Sequence, residues 1–366
     1  MRQLARITIE GFKSIKSQSL KLGRLNVLIG GNGVGKSNLV GVFKFLRAIY
    51  DQNLLTYVSR SNGANALLHF GRKRTPNLSV VLEFSETESP LRNFYAIDLT
   101  PNDVDEFVIQ WERAGFHDSS RYPRPYWDDL PSIGKSEAAI SLPQTRTASW
   151  VKDDLASYRV YHFHDTSDSS PIKQTGDIND NHALKADAGN LAAYLYWMQQ
   201  THPDSLALIV STVRRIAPFF DKFELQPLRL NPQSIRLEWR EKGAEDAFNA
   251  NQLSDGTLRF MCLATLLLQP DLPRMILLDE PELGLHPAAV HHLAELLKLA
   301  SMRTQLIVAT QSVTLINQLE PEHIWVADRE DGATTIRHLK GEELTQWYED
   351  YALGELWEKN VLGGRP

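Results

Sequence analysis

The stretch Gly30-Gly31-Asn32-Gly33-Val34-Gly35-Lys36-Ser37 has the spacing G-x-x-x-x-G-K-[ST], which is typical of a loop that binds phosphate groups. An apolar run at 25–29 precedes it, and an apolar pattern with helical spacing at 38–46 follows it. Strand, glycine loop and helix therefore come in the order that the pattern requires. The alternative is a chance glycine turn, which the two flanks make the less favoured interpretation.

Each residue type in this loop has a physical role. Glycines let successive backbone N–H groups turn towards one phosphate, and the helix N-terminus adds a favourable dipole. We expect Lys36 to reach the β- and γ-phosphates of ATP, and the Ser37 hydroxyl to ligate Mg²⁺. The predicted nucleotide-binding residues of this loop are Asn32, Gly33, Gly35, Lys36, Ser37 and Asn38.

The bulk composition is that of an ordinary globular chain. Its 366 residues are 42% hydrophobic and 23% charged, and the length predicts two domains or one large domain with insertions. No apolar window is long enough to span a membrane, and the N-terminus leads directly into a strand without a signal peptide. Cys262 is the single cysteine, which excludes an internal disulfide. We therefore predict a cytoplasmic protein with no membrane partner.

The net charge and the basic clusters indicate whether the chain could bind nucleic acid. A net charge of −6 argues against a chain that coats nucleic acid by charge alone. The basic clusters at 72–74 and 214–215 are short, and solvated surface is the favoured interpretation of each. DNA contact through one of them, or through an assembled dimer surface, is the alternative.

The N-terminal half predicts strands around the glycine loop and then a less regular region. Residues 4–10 alternate as a half-buried strand, and segments near 78–84, 94–99 and 106–112 predict an antiparallel meander. The stretch 115–150 is rich in Pro, Ser, Asp and Arg, and we interpret it as an extended loop or insertion.

The C-terminal half predicts helices first and then an alternation of helices and strands. Residues 187–200 and 203–219 each carry an apolar helical face, and strand-like runs follow at 223–230 and 234–241. From residue 253 onwards, helices and buried strands alternate, which is typical of a mainly parallel sheet. We therefore predict an α/β chain with a mixed central sheet, an antiparallel meander and a helical insertion.

Two carboxylates end the apolar run 275–278. At the carboxyl end of a strand beside the glycine-loop strand, Asp279 would be placed to hold Mg²⁺ directly or through water. Glu280, one residue further on, points in a different direction from Asp279 and can orient and deprotonate an attacking water. Acidic residues after strands also cap helices, and that role is the alternative.

A second polar group opens the predicted helix at 258–269. Ser254, Asp255 and Gly256 stand at its N-terminus, where Ser and Asp cap helices in any protein. The functional interpretation uses the same physics, because exposed N–H groups and a serine hydroxyl at a helix N-terminus suit a γ-phosphate. From these residues alone, the cap is the favoured interpretation.

Taken as a set, the motifs resemble those of one known family. Gly-Asn-Gly-Val-Gly-Lys-Ser-Asn at 31–38, Leu-Ser-Asp-Gly at 253–256 and Leu-Leu-Asp-Glu-Pro at 277–281 resemble an ABC-type ATPase head of the RecF/SMC-like branch. Within that branch the chain is similar to AAA-type predicted ATPases related to overcoming-lysogenization-defect nucleases. Further matches lie at 11–15, 161–166, 281–287 (the D-loop) and 354–357, while 51–155 matches weakly.

This resemblance implies a P-loop NTPase of the ABC-ATPase type that forms an ATP-sandwich homodimer or a higher oligomer. Ser254 and Gly256 would then act in trans on a nucleotide held in cis by Lys36, Ser37, Asp279 and Glu280. The whole chain would be one head, with lobe I at 1–182, a helical lobe II with adjoining strands at 183–252, the signature half at 253–340 and a tail at 341–366.

Three further positions take candidate roles from the resemblance. Gln311 stands at the switch position, where an amide would sense the γ-phosphate without titrating near neutral pH. The alternative for Gln311 is a polar residue that flanks a helix. Lys13 would reach the nucleotide from the N-terminal turn, or would be a solvated lysine. His164-Asp165 is a weak candidate for the lobe I magnesium ligand, and satisfying backbone groups of the turn is the slightly favoured alternative.

The implied function is an ATP-hydrolysing head that couples dimerisation to DNA or to an effector, in antiphage defence or DNA repair. Relatives in this branch often carry a C-terminal Toprim nuclease domain, and the residues after 340 are too few for one. We therefore expect a separately encoded effector, such as a Toprim-like nuclease. The alternative is a slow-turnover, nucleotide-locked scaffold that regulates a protein partner without touching DNA. A transporter ATPase is disfavoured.

Overall fold

The computed structural model describes residues 2–86, 88–142, 145–341 and 351–364. They divide into two compact units, unit 1 with Met1–Tyr158 and Glu320–Pro366, and unit 2 with Arg159–Leu319. Among the helices in these ranges, none has both the length and the apolar character needed to cross a bilayer. Part of the tail predicted at 341–366, namely 342–350 and 365–366, lies outside the described residues.

The strands, numbered in chain order, are β1 (Gln3–Phe12), β2 (Ile15–Lys21), β3 (Leu25–Ile29), β4 (Leu78–Ser85), β5 (Leu91–Pro101), β6 (Phe107–Asp118), β7 (Tyr126–Asp129), β8 (Tyr158–Tyr161), β9 (Gly176–Asp177), β10 (Phe220–Phe223), β11 (Ser234–Ile235), β12 (Glu238–Glu241), β13 (Ala247–Asn249), β14 (Met275–Asp279), β15 (Gln305–Ala309), β16 (Ile324–Glu330) and β17 (Ala333–His338).

The α-helices are α1 (Lys36–Tyr50), α2 (Leu54–Arg60), α3 (Ala64–Leu67), α4 (Arg146–Ala156), α5 (Leu191–Thr201), α6 (Pro203–Ile216), α7 (Asp255–Leu268), α8 (Pro287–Ser301), α9 (Val313–Ile316) and α10 (Leu353–Glu358). Short 3-10 turns lie at Pro171–Lys173, Ala250–Gln252 and Pro321–His323.

Unit 1 contains a six-stranded antiparallel sheet in the order β2-β1-β4-β5-β6-β7. Along β4, buried and half-buried residues alternate, which is the period-2 pattern that predicts a strand with one face on the core. The predicted meander is confirmed, because β4 pairs antiparallel with β5 and β5 pairs antiparallel with β6.

Helix α1 packs against this antiparallel sheet. The Phe45 ring lies 5.7 Å from the Phe12 ring of β1 and 6.3 Å from the Phe107 ring of β6, measured between centroids. Aromatic pairs at such separations contribute roughly 0.5–1.5 kcal/mol beyond the area they bury. These contacts anchor the helix whose first residue is Lys36.

Unit 1 also contains the strand that leads into the glycine loop. All five residues of β3 are buried, and β3 pairs in parallel with β16, for example Leu28 with Trp325. Strand β17 then pairs antiparallel with β16. Since β3 is apolar throughout and too short for a buried helix, a strand buried on both faces is the structure its sequence favours.

In unit 2, the predicted alternation of helices and buried strands is confirmed. Strands β14 and β15 pair in parallel, with Asp279 opposite Ala309 at their carboxyl ends. Helix α7 precedes β14 in the chain, and α8 lies between β14 and β15 in sequence. Residue 279 thus reaches the strand edge at which polar functional side chains are expected in parallel sheets.

Two regions differ from the sequence-based expectation. The predicted loop at 115–150 contains β7 and the start of α4, because β7 pairs with β6 and Thr145 caps α4 by accepting a hydrogen bond from the Ala148 N–H at 3.2 Å. The strand predicted at 223–230 overlaps β10 only at Phe223, and Pro227 within that run has no N–H to donate to a ladder. The strand predicted at 234–241 is divided into β11 and β12.

One buried carboxylate fixes a loop to the antiparallel sheet. Glu112 of β6 is 0% exposed, and it accepts hydrogen bonds from the Tyr95 hydroxyl at 2.9 Å and from the N–H groups of Ala139 and Ile140 at 2.7 and 3.1 Å. Burial, with the Glu112 charge second, raises the pKa of Tyr95 well above its ordinary value, so the phenol stays protonated and donates.

The single cysteine lies inside unit 2. Cys262 of α7 is 1% exposed, and its Sγ–H donates to the Leu258 carbonyl at 3.1 Å. Burial raises the pKa of this thiol, because the thiolate would lose its hydration.

We expect Glu112→Ala to lower the free energy of unfolding by about 3 kcal/mol, because three hydrogen-bond donors, two of them buried, lose their acceptor. Urea unfolding followed by circular dichroism measures this change. Glu10→Ala, at an exposed position of β1 in the same sheet, serves as the control and should stay within about 0.5 kcal/mol of wild type. Equal losses in the two variants would contradict the role assigned to Glu112.

Candidate functional site

The glycine loop lies between the end of β3 and the start of α1. Gly33 and Gly35 have φ values of 77° and 111°, in the left-handed region that favours glycine. The Lys36 side chain is buried, and its Nζ donates to the carbonyls of Gly30 and Gly31 at 2.5 and 2.9 Å. Asn32 and Ser37 are exposed. The loop therefore surrounds the Lys36 ammonium while leaving the Ser37 hydroxyl accessible.

Groups outside the loop hold its shape through a chain of hydrogen bonds. The Asn38 amide donates to the Ser14 Oγ at 2.6 Å, and the Ser14 and Thr334 hydroxyls lie 2.6 Å apart. Thr334 in turn donates to the Val34 carbonyl at 2.6 Å. A Cβ on Gly35 would lie 2.1 Å from the Thr334 Oγ1, so only glycine fits there.

The sequence did not predict this chain of hydrogen bonds, although two of its residues lie in stretches that the sequence analysis identified. Ser14 belongs to the Gly-Phe-Lys-Ser-Ile stretch, and Asn38 was predicted to bind nucleotide. No pattern pointed to Thr334, which stands 300 residues from Val34.

Lys13 lies in the turn between β1 and β2. Its φ is 48°, and its backbone N–H donates to the Leu67 carbonyl at 2.8 Å. The Lys13 carbonyl accepts from the His69 Nδ1 at 2.8 Å, and its Nζ lies 5.7 Å from the centroid of the Phe12 ring. The structure thus fixes the backbone of Lys13 through α3, and its proposed reach to the nucleotide stays a prediction.

In unit 2, the structure brings Glu280 and Gln311 together. The Gln311 Nε2 donates to the Glu280 Oε1 at 2.7 Å, and the Glu280 N–H donates to the Ala309 carbonyl at 2.8 Å. Glu280 has a φ of 45°, a left-handed conformation that costs a residue with a side chain about 1–2 kcal/mol. This turn aims the Glu280 side chain away from the path of β14 and towards Gln311.

A second carboxylate, which sequence reasoning missed, supports the same turn. Glu282 accepts from the Thr310 hydroxyl at 2.5 Å and from the Gln311 N–H at 3.2 Å. Burial raises the pKa of Glu282, and the nearby Glu280 charge raises it further. The bonds from Thr310 and Gln311 oppose this shift because they stabilise the carboxylate form. Glu282 thus ties the D-loop to the residues that follow β15.

The His164-Asp165 pair lies beside the same strand end. The His164 Nε2 lies 2.8 Å from the Asp279 carbonyl, which can only accept, so the ring carries its proton on Nε2. The Asp165 carboxylate accepts from the Ser167 N–H at 3.1 Å and from the Ser167 hydroxyl at 2.7 Å, and these bonds lower its pKa. Both contacts favour the backbone-satisfying interpretation of this pair.

The predicted signature residues stand at the start of α7. Ser254 is exposed and caps the helix, since its Oγ accepts from the Thr257 N–H at 3.2 Å. A Cβ on Gly256 would lie 2.5 Å from the Gly284 carbonyl, so the helix start and the D-loop touch through their backbones. The cap is therefore present, and the action on a γ-phosphate stays a prediction.

Arg259, on the first turns of α7, connects three backbone segments. Its guanidinium donates to the Leu283 carbonyl at 2.9 Å and to the carbonyls of His164 and Phe163 at 2.8 and 3.2 Å. Arg259 follows the Leu-Ser-Asp-Gly stretch at 253–256 by three residues, but only the fold shows that it holds this stretch, the D-loop and the segment after β8 together.

Comparison with protein families gives the same interpretation as the motifs. Residues 25–317 match the family described as "AAA domain, putative AbiEii toxin, Type IV TA system". The chain belongs to this family. One curated relative, a "Putative ABC transporter ATP-binding protein" of Methanosarcina acetivorans, is 33% identical over 124 residues, which cover 31% of this chain and 44% of the relative. The match thus spans less than half of that relative's length.

Solved structures support the fold of this AAA family member. A Smc head bound to the C-terminal winged-helix domain of ScpA has a TM-score of 0.61 at 16% identity, covering 94% of this chain and 99% of that one. A Smc head domain bound to the C-terminal domain of ScpA, from Pyrococcus furiosus, has a TM-score of 0.60 at 14% identity, covering 96% and 99%. The fold predicted from the resemblance to RecF/SMC-like ATPase heads is confirmed, and the chain is an ATPase of the AAA family named above.

We expect Glu280→Gly to unfold with a free energy about 1 kcal/mol higher than Glu280→Ala, because glycine adopts the left-handed conformation without strain. Both variants lose the same side-chain contacts, so the difference isolates the backbone. In the control pair at the exposed helix position Glu295, alanine should be more stable than glycine by about 1 kcal/mol. Thermal unfolding of the four variants tests this reversal of sign, and its absence would contradict a strained residue 280.

Proposed function

We propose that this ATPase is a head that binds ATP with its glycine loop, closes on a second copy and hydrolyses the nucleotide. The observation that carries the proposal is the 2.7 Å hydrogen bond from the Gln311 amide to the Glu280 carboxylate, directly after the strand end that carries Asp279. It supports a general base held by a switch residue, since an acceptor for a water proton needs a fixed orientation.

The residues that hold the phosphates act in cis in this proposal. Lys36 contacts the β- and γ-phosphates, while Gly33, Gly35 and the N-terminus of α1 present backbone N–H groups. The exposed Ser37 hydroxyl and the Asp279 carboxylate are hard oxygen donors of the kind that suit Mg²⁺. The ion, when bound, neutralises charge that develops on the phosphate oxygens.

Glu280 orients the attacking water and accepts its proton. Gln311 keeps the Glu280 carboxylate in place and senses the γ-phosphate with an amide that does not titrate.

Ser254 and Gly256 act in trans, on the nucleotide held by the partner copy. Helix α7 has 14 residues, its N-terminal Ser254 and Asp255 are exposed, and its dipole favours an anion there. The D-loop touches Gly256 and is bonded to Arg259, which keeps both trans-facing segments in one rigid arrangement.

We further propose that ATP-driven closure is passed to DNA or to a separately encoded effector, such as a Toprim-like nuclease, in antiphage defence or DNA repair. One support is the family, whose description names a putative AbiEii toxin and a type IV TA system. The other is the fold shared with Smc heads, two of which were solved with a domain of ScpA bound. Stimulation of turnover by duplex DNA would favour direct DNA coupling, and its absence would favour the protein effector.

We expect Glu280→Gln to lower ATP turnover at least about 100-fold while ATP binding is retained, because a glutamine cannot accept the water proton. Phosphate release measures turnover, and fluorescent ATP measures binding. Glu295→Gln, an exposed position on α8, should leave both unchanged. A wild-type chain with no hydrolysis would favour the nucleotide-locked scaffold instead.

We expect Ser254→Arg to leave ATP binding intact and to abolish ATP-driven dimerisation, since the bulky cation occupies the surface that meets the partner's nucleotide. Light scattering with and without ATP, in the Glu280→Gln background, reports the mass. Ser211→Arg, at an exposed position on α6, makes the same chemical change elsewhere and should still dimerise. Normal dimerisation of Ser254→Arg would contradict the proposal that Ser254 acts on the nucleotide of the partner copy.

A further inference from the structure

The segment 351–364 is built into the core of unit 1. Within it, α10 carries Leu356 and Trp357, both 0% exposed, and Trp357 is among the largest fully buried side chains of the described residues. Leu353 and Leu362 are 3% and 1% exposed. Burying four large apolar side chains contributes about 1.5–3 kcal/mol each, so this segment is held firmly.

Hydrogen bonds then fix the end of this segment to two strands. The Trp357 indole N–H donates to the Gly364 carbonyl at 2.6 Å, and the Gly364 N–H donates to the Asp328 carboxylate of β16 at 3.2 Å. The Arg337 guanidinium of β17 donates to the Leu362 carbonyl. Gly364 is therefore held through both its N–H and its carbonyl, with a third bond two residues earlier at Leu362, and it is buried.

Three backbones converge where Gly364 meets the glycine loop. A Cβ on Gly364 would lie 2.7 Å from the Ala327 carbonyl oxygen and 3.4 Å from the Gly30 Cα. A Cβ on Gly30 would lie 2.5 Å from the same Ala327 oxygen. Neither glycine tolerates a side chain, so the first residue of the glycine loop is enclosed between β16 and the segment 351–364.

We propose that the segment 351–364 is a positioning element for the glycine loop, and that Gly364 sets nucleotide affinity through Gly30. The inference rests on the proposed binding of ATP by this loop. The Gly30 carbonyl accepts from the Lys36 Nζ at 2.5 Å, so a displacement of Gly30 moves the acceptor of the phosphate-binding lysine. A phosphate cradle built from backbone N–H groups loses its fit when the backbone shifts by a fraction of an ångström.

The neighbouring glycine provides a matched control. Gly363 and Gly364 both have left-handed backbones, with φ values of 73° and 59°, so alanine strains either position in the same way. A Cβ on Gly363 would lie 3.6 Å from the Arg337 Nη2 and 3.8 Å from the Asp328 Oδ2, which are ordinary contacts. Only at 364 does the added carbon press on β16, where it lies 2.8 Å from the Val326 Cγ1 and meets the Ala327 carbonyl oxygen against which Gly30 also packs.

We expect Gly364→Ala to raise the Kd for a fluorescent ATP analogue at least about tenfold, and Gly363→Ala to change it less than about twofold. Without nucleotide, both variants should lose melting temperature because of the strained backbone, and Gly364→Ala should lose more because its added carbon also presses on β16. Equal Kd changes in the two variants would overturn the positioning role. A wild-type chain that does not bind the analogue would overturn the proposed function, and the two failures are therefore distinguishable.

Asp328→Asn tests the same inference if Gly364→Ala fails to fold. The exposed Asp328 carboxylate accepts from the Gly364 N–H, and a neutral amide is a weaker acceptor, so the segment end should loosen without a clash. We expect a Kd raised several-fold, with faster hydrogen exchange at residues 30–36 as well as at 362–364. Faster exchange confined to 362–364, with an unchanged Kd, would contradict the proposal.

Discussion

The conformation of the glycine loop depends on one chain of hydrogen bonds from Asn38 through Ser14 and Thr334 to the Val34 carbonyl. A loop that presents N–H groups to a phosphate leaves its carbonyls facing away from the ligand, and those carbonyls need donors. Thr334 supplies one to Val34, and Lys36 supplies another to Gly30. The β1–β2 turn and the β16–β17 hairpin of unit 1 both serve this requirement.

In unit 2, backbone carbonyls near the candidate site also need hydrogen-bond donors, and there an arginine side chain supplies them instead of hydroxyl groups. Arg259 donates to carbonyls of the D-loop and of the segment after β8, and His164 donates to the Asp279 carbonyl. A guanidinium has five donors in a fixed fork, so one side chain can hold several loops in register. The signature stretch, the D-loop and the end of β14 consequently form one connected polar arrangement, in which a change at one member is felt by the others.

The sequence predicted those parts of the fold and the site that are encoded locally. Loop, flanking strand and helix lie within about twenty residues of Lys36, and the meander and parallel strands follow from the spacing of apolar residues. The contacts of Thr334, Arg259, Glu282 and Gly364 join positions far apart in sequence, and no single-chain pattern carries them. Strand β7 and helix α4 were missed because pairing with β6 and the Thr145 cap override a composition typical of loops.

The burial of Cys262 makes the chain suitable for site-specific labelling at an introduced cysteine. Its thiol is 1% exposed, bonded to the Leu258 carbonyl and kept protonated by its surroundings, so maleimide dyes and nitroxide labels should leave the folded native chain unmodified. A cysteine introduced at an exposed site would then be the sole point of labelling without removal of the natural one. Distances between two copies become measurable by energy transfer or by electron spin resonance in an otherwise unaltered background.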